Sequence, residues 1–204
     1  GIIALGAEQK NSFCIGKGNQ AVMSQYIVDL KNQATFDFFT GAIYRFKRLF
    51  RFEPEFIACD QHPDYLSTQY AETLEKELNI PLVRIQHHHA HIASCMAEYG
   101  IDGEVIGISL DGTGFGSDWK TWGGEFLIAD LKSFSRYTHF DYVALPGGEK
   151  AIDEPWRMAF SFIHKYFGGS YDFNTIPLFR SIDKKKLIVM KEVLDKKINT
   201  PLSS

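Results

Sequence analysis

The chain has 204 residues, 45% of them hydrophobic and 14% aromatic, so it can bury a sizeable core in one large domain or two small ones. Its 22 basic and 25 acidic residues give a net charge of -3, which argues against a general attraction to nucleic acid or to an anionic membrane. No apolar run reaches the roughly 18 residues of a membrane span, and no signal peptide opens the chain. We therefore expect a cytoplasmic protein with neither a nucleic-acid nor a membrane partner.

The three cysteines are Cys14, Cys59 and Cys95, which lie far apart and form no CxxC pair. The sequence therefore encodes neither a disulfide framework nor a zinc ribbon. We expect each cysteine to pack as a small buried apolar residue.

The N-terminal region contains three short runs, at residues 2–5, 12–15 and 20–26, which are separated by polar or glycine-containing turns. This order predicts an antiparallel meander of three strands. Large apolar residues then recur at three- and four-residue spacing from Phe36 to Phe50. That spacing predicts an amphipathic helix of about four turns.

The middle of the chain alternates between strand and helix patterns. Strands are predicted at residues 56–60 and 82–85, with a helix at 67–78 between them, and the histidine-rich run at residue 87 opens a further helix. The order β-α-β-α favours a parallel sheet with right-handed crossovers.

A second set of strands follows, and two helices close the chain. Strands are predicted at residues 104–110, 125–129 and 136–144, and helices at 151–167 and 184–197. A meander, then βα units, then strands again is the order of a lobe in the actin-like ATPase fold. We predict such a mixed α/β lobe over residues 1–204, with two possible subdomains at about 1–85 and 86–204.

The run His-His-His-Ala-His at residues 87–91 holds four of the seven histidines. His87 and His91 are four residues apart, so on a helix both imidazoles reach one face and one cation. Imidazole suits zinc, iron, nickel or copper, and no nearby thiolate selects among them. The glutamate of an HExxH protease helix is missing, and His88 and His89 should point elsewhere. The alternative is a polar helix face.

Asp111 follows a predicted strand and precedes Gly112, Thr113 and Gly114. Glycines allow a turn whose N–H groups face phosphate oxygens, while a carboxylate at a strand end can ligate a metal. We predict Asp111 as the third metal ligand and the three residues after it as a phosphate loop. A plain tight turn is the alternative.

Other turns contain polar residues suited to a nucleotide. Lys10, in the first hairpin, is a candidate phosphate contact, as are Gly147 and Gly148, and the Trp-Gly-Gly-Glu segment at 122–125 is a further turn of this kind. A solvated lysine and ordinary turns explain these features equally well. Residues 60–65 place several polar groups at another strand end, which is unusual outside a site.

The chain resembles the C-terminal catalytic region of the HypF family, the carbamoyltransferases of nickel-iron hydrogenase maturation, with a Kae/TsaD-like catalytic domain. The matching stretches span nearly the whole chain and are residues 4–11, 59–68, 86–91, 111–114, 122–125 and 145–148.

The resemblance implies a reaction in which carbamoyl phosphate and ATP give carbamoyl-adenylate. The carbamoyl group then passes to the C-terminal cysteine of the partner protein HypE, for synthesis of the cyanide ligand of the hydrogenase iron. Relatives hold a divalent metal, iron or zinc, with an HxxxH pair and two aspartates, which maps onto His87, His91 and Asp111.

The fourth ligand implied by the resemblance would lie in a second lobe. The chain begins at Gly1 without a methionine and ends at Ser204 without a helix end, so we expect an excised piece that lacks this lobe. Further partners would be the other domains of the same full-length protein, which are acylphosphatase-like, zinc-finger-like and YrdC-like. The piece alone is expected to be inactive.

Three other functions fit the same fold. The chain could act as an O-carbamoyltransferase on a small alcohol, as a threonylcarbamoyl transferase of tRNA, or as a non-catalytic lobe that binds a metal or a partner. The tRNA-modifying family has His-His-Met-Glu-Gly-His where this chain has His-His-His-Ala-His.

Overall fold

The computed structural model describes residues 1–148, 150–168 and 171–204, without the side chains of Thr113 and Asn174. The chain divides into two compact units, Gly1–His87 and His88–Ser204.

The first unit contains five strands that form one sheet. They are β1 (Ile2–Ala4), β2 (Cys14–Lys17), β3 (Gln20–Met23), β4 (Phe56–Asp60) and β5 (Leu82–Ile85). Across the sheet they follow the order β3-β2-β1-β4-β5. The pairs β1–β2 and β2–β3 are antiparallel, whereas β1–β4 and β4–β5 are parallel. The predicted meander followed by parallel βα units is confirmed for this unit.

Two helices connect the strands of the first unit. They are α1 (Gln33–Leu49) and α2 (Leu66–Leu78). Helix α1 begins earlier than predicted because the Asn32 side chain accepts a hydrogen bond from the Thr35 N–H at 2.9 Å and caps the helix. The buried face of α1 packs on the sheet, where the Phe39 ring meets the Phe13 ring edge-on at 6.1 Å between centroids.

The second unit is built on another sheet of five strands within the described residues. They are β6 (Val105–Phe115), β7 (Thr121–Ala129), β8 (Phe134–His139), β9 (Val143–Ala144) and β10 (Leu202–Ser203). Strand β7 pairs antiparallel with β6 and β8, and β10 lies between β7 and β9. The mixed α/β prediction is confirmed, but the single strand predicted at 136–144 is wrong, because β8 and β9 are separate strands.

Two predicted turns are strand segments instead. Strand β6 continues past the predicted end at Leu110 to Phe115, and the register of its pairing with β7 shifts between Leu110 and Gly114. Such an irregularity lets a strand continue through residues that read as a turn in the sequence. Residues 122–125 lie inside β7, where Gly124 pairs with Leu110.

The helices predicted at 151–167 and 184–197 differ from those that the second unit contains. Its helices are α3 (His87–Tyr99), which starts at the last residue of the first unit, α4 (Lys150–Asp153), α5 (Trp156–Phe167), α6 (Pro177–Arg180) and α7 (Lys184–Asp195). The single helix predicted at 151–167 is wrong, because Pro155 lacks the N–H that a continuous helix needs. In the described part of the chain, no helix is both long and apolar enough to cross a bilayer.

The cysteines differ in their surroundings. Cys59 is buried, Cys14 is half-buried and Cys95 is exposed on α3. The prediction of three buried cysteines is therefore wrong for Cys95. The buried residues of α3 are His88, His89, Ile92 and Met96.

The substitution Phe39→Ala should lower the free energy of unfolding by about 3–5 kcal/mol, because it removes a fully buried ring from the first core. Its neighbour Phe38 is 46% exposed, so Phe38→Ala is a matched control that should cost about 1 kcal/mol or less. Urea denaturation followed by circular dichroism measures both values. Equal losses would contradict the assignment of Phe39 to the core.

Candidate metal site

Helix α3 and strand β6 bring the predicted metal ligands together. His87 and His91 lie one turn apart on α3, and Asp111 lies on β6. The distance from His91 Nε2 to Asp111 Oδ2 is 3.6 Å. One possible ligand atom from each of the three residues lies within 4.8 Å of the other two. Their role as metal ligands stays a prediction.

The donor set fits iron or zinc. Two imidazole nitrogens and one carboxylate oxygen are the protein ligands of many catalytic zinc sites and of non-haem iron sites, which keep open positions for substrate. The side chains of His91 and Asp111 are 57% and 28% exposed, so a metal held here would be accessible. His87, by contrast, is only 14% exposed.

The remaining histidines of the run point into the second unit, as expected. The His88 side chain is fully buried, and its ring lies 6.1 Å from that of Trp122. His89 Nε2 lies 2.8 Å from the Asp130 carbonyl oxygen. Both residues therefore contribute to the packing of the second unit.

Asp60 is a neighbour of the site that the ligand prediction did not include. Its Oδ2 lies 2.6 Å from His87 Nδ1, and its Oδ1 accepts a hydrogen bond from the His62 N–H at 2.8 Å. The signal for Asp60 was its place at the end of a strand among other polar residues.

Residues 112–114, the predicted phosphate loop, differ in their surroundings. Asp111 and Gly112 line a cavity of about 460 Å³, together with Gly123 and Gly124. The Gly112 N–H donates to Asp111 Oδ1 at 2.6 Å, so it holds that carboxylate in place. Thr113 has its backbone in β6, but its side chain lies outside the described residues.

Gly114 is buried, and a side chain at this position would overlap the His88 ring. Packing therefore explains the glycine at position 114, because only a residue without Cβ lets the His88 ring approach this closely.

The other predicted phosphate contacts lie in separate turns. Lys10 is exposed with φ of 48°, and its N–H donates to Asp29 Oδ1 at 2.9 Å. Gly147 and Gly148 adopt φ values of 84° and 58°, and their N–H groups donate to the carbonyls of Asn199 and Leu145. Neither of these glycines is among the residues that line the cavity beside Asp111.

Glu125, predicted in a turn near the nucleotide, belongs to a buried ion pair instead. The Arg136 side chain donates to Glu125 from Nε at 2.5 Å and from Nη2 at 2.9 Å. The guanidinium also lies 4.1 Å from the centroid of the Trp122 ring. Such a bidentate pair, with the cation stacked on an aromatic face, fixes neighbouring strands.

Glu8 is a buried carboxyl group that supports the loop after β4. Its Oε2 accepts a hydrogen bond from the Leu66 N–H at 2.7 Å and so caps helix α2, whose own first-turn cap, Tyr65, has no side-chain bond to the helix. Burial raises the pKa of the Glu8 carboxyl, although bonds from the Leu66 and Ser67 N–H groups act in the opposite direction.

Two family models match adjoining parts of the chain. The HypF Kae1-like domain matches residues 1–98, and the second subdomain of the carbamoyltransferase Kae1-like domain matches residues 107–204. Both models describe parts of a Kae1-like domain. The chain belongs to the HypF family, whose curated members are named carbamoyltransferases.

Two curated relatives illustrate the match. Carbamoyltransferase HypF2 of Cupriavidus necator is 38% identical over 203 residues, which cover 100% of this chain and 24% of that protein. Carbamoyltransferase HypF of Rhizobium leguminosarum bv. viciae is 41% identical over 157 residues, which cover 77% of this chain and 20% of that protein. The chain thus spans between a fifth and a quarter of the length of these relatives.

Two solved structures share the fold. A crystal structure of full-length HypF in the phosphate- and nucleotide-bound form matches with a TM-score of 0.85 and 45% identity, covering 100% of this chain and 26% of that one. The structure of T. kodakarensis HypF matches with a TM-score of 0.83 and 34% identity, covering 100% of this chain and 28% of that one.

The raised pKa of Glu8 predicts a dependence of stability on pH. Because the folded state favours the protonated carboxyl, this contribution is complete below the ordinary pKa of 4.5 and is lost as the pH rises through the folded value. Glu8→Gln removes the titration, so wild type should lose stability relative to this variant as the pH rises. Urea unfolding at several pH values below and above 4.5 measures this difference in stability. Glu77→Gln, on α2, is the exposed control. The same pH dependence for both variants would contradict the assignment.

Proposed function

We propose that this chain supplies the metal-binding part of a carbamoyltransferase active site. The observation that carries the proposal is the convergence of His87, His91 and Asp111, whose ligand atoms lie within 4.8 Å of one another. Membership in a family of named carbamoyltransferases supports the reaction class. The chain spans 24% of one such relative, and the proposal assigns the complete reaction to a full-length protein with further domains.

The proposed metal is iron or zinc, held by the two imidazoles and the Asp111 carboxylate. When bound, it supplies a Lewis acid that polarises phosphate or carbamoyl oxygens. Asp111 presents Oδ2 to the His91 side, while the Gly112 N–H holds Oδ1. The high exposure of the His91 side chain leaves room for a substrate beside it.

Phosphate groups are the proposed ligands of the glycine-containing segments and of Lys10. Gly112 lines the cavity beside Asp111 and lacks a side chain, so a phosphate can approach the backbone there. Lys10, Thr113, Gly114, Gly147 and Gly148 remain predicted phosphate contacts. The phosphate- and nucleotide-bound state of a solved relative supports ligands of this chemistry.

The proposed substrates are ATP and carbamoyl phosphate, which give carbamoyl-adenylate. Water cleaves carbamoyl phosphate to carbamate and phosphate, and the carbamate oxygen then attacks the α-phosphorus of ATP and displaces pyrophosphate. In the transfer step the acceptor sulfur attacks the carbamoyl carbon, the carbon–oxygen bond to the adenylate phosphate breaks, and AMP and the thiol proton leave. The proposed acceptor is the C-terminal cysteine of a HypE-like protein in the cytoplasm. An external thiol is favoured over Cys59, because burial raises the pKa of that cysteine to about 11 and makes its thiolate scarce.

The chain is also proposed to form the first lobe of an actin-like ATPase fold, with subdomains at about residues 1–85 and 86–204. The division into compact units after His87 supports this arrangement. A second lobe would supply the fourth metal ligand.

His87→Ala and His91→Ala should each weaken cobalt(II) binding to this chain by more than about 100-fold, which exceeds the effect of losing an outer partner of a ligand. Spectroscopic titration with cobalt(II) measures the affinity, and circular dichroism confirms folding. His139→Ala, a substitution on β8, is the control and should bind cobalt(II) like wild type. Wild-type affinity in either ligand variant would refute the metal site.

A full-length family member with alanine at the position of His91 should transfer no labelled carbamoyl group to its acceptor. The label should appear on a HypE-like protein and disappear when its C-terminal cysteine is replaced by serine. Mass spectrometry of the products distinguishes this acceptor from a small alcohol or a tRNA. Label on an alcohol or a tRNA, with none on the protein thiol, would instead support one of the other transferases.

A further inference from the structure

The carboxylate of Asp60 contacts one proposed metal ligand without belonging to the ligand group. Its Oδ2 lies 2.6 Å from His87 Nδ1, and the two side chains are 6% and 14% exposed. A carboxylate oxygen is an acceptor, so this geometry places the ring proton of a neutral His87 on Nδ1. The lone pair of that tautomer is then on Nε2.

Asp60 is itself held in a fixed position. It is the last residue of β4, where it pairs in register with Ile85 of β5. Its Oδ1 accepts a hydrogen bond from the His62 N–H at 2.8 Å, and its carbonyl accepts one from Thr68 Oγ1 at 3.1 Å. One carboxylate oxygen is thus anchored to the backbone while the other faces the histidine.

We propose that Asp60 is a positioning residue of the metal site, which keeps the His87 ring in the tautomer and orientation that present Nε2 to the metal. The inference rests on the proposed role of His87 as a ligand. A carboxylate that accepts the other ring N–H fixes the orientation of a ligating histidine and increases its basicity. Asp60 would hold His87 in place much as the Gly112 N–H holds Oδ1 of Asp111.

Asp60→Asn is the sharpest variant, because it keeps the shape of the side chain but replaces one acceptor oxygen with an NH₂ donor. The amide oxygen of the variant still accepts the His62 N–H, so the new NH₂ group faces His87 Nδ1. This donor favours the tautomer with the proton on Nε2, the atom that the metal needs. Asp60→Ala removes both contacts. Asp64→Asn, in the same loop, is the matched control, because Asp64 is exposed and its backbone N–H, which the substitution keeps, contacts His62.

Two measurements on the whole chain test the proposal. Long-range nitrogen–proton NMR of the metal-free chain reports which ring nitrogen of His87 carries the proton, and this readout is independent of any activity. Wild type and Asp64→Asn should show the proton on Nδ1, whereas Asp60→Asn should shift it to Nε2. Cobalt(II) titration should show a loss of affinity of about 10- to 100-fold in Asp60→Asn and Asp60→Ala, and none in Asp64→Asn.

The outcomes separate this inference from the proposed function. If wild type binds cobalt(II) and Asp60→Asn binds it equally well, the positioning role is overturned while the metal site stands. If His87 keeps the proton on Nδ1 in both Asp60 variants, the inference is also overturned. If wild type binds no cobalt(II), the proposed metal function fails and the inference fails with it. Should Asp60→Ala not fold, the isosteric asparagine variant alone decides.

Discussion

The parallel pairing of β4 with β5 is the constraint on which the candidate site depends. Parallel strands end at the same edge of a sheet, and the register that pairs Asp60 with Ile85 leaves only Gln86 between the end of β5 and His87. The carboxylate at the end of one strand thereby reaches the first residue of the helix that follows the next. A shift of one residue would turn the Asp60 side chain to the other face of the sheet and break this contact.

A second constraint acts on the pair formed by His91 and Asp111. Helix α3 packs closely on β6 because two glycines of that strand, Gly107 and Gly114, leave room for the side chains of Ile92 and His88. A side chain at either glycine would collide with the helix and move it away from the strand. The 3.6 Å separation of His91 and Asp111 therefore depends on residues that have no ligand chemistry of their own.

The local part of the site could be predicted from the sequence, and the tertiary part could not. The i, i+4 spacing of His87 and His91 places both on one helix face, so the pair could be proposed as ligands without knowledge of the fold. The shape of the Asp111 segment was missed, because a glycine-rich run indicates a turn unless its pairing with β7 is known. The contact from Asp60 escaped the ligand prediction for a similar reason, since strand register is a long-range property.

The close packing of Gly114 against His88 shows that a glycine in a phosphate-loop pattern can be needed for folding alone. Because the His88 ring leaves no room for a side chain at Gly114, folding requires this glycine whether or not the domain binds a ligand. His91 is largely exposed and belongs to none of the hydrophobic cores, so packing does not constrain it in this way. For the proposed metal site, His91 is therefore the more informative position to compare among copies of this domain, because a retained Gly114 reports on packing.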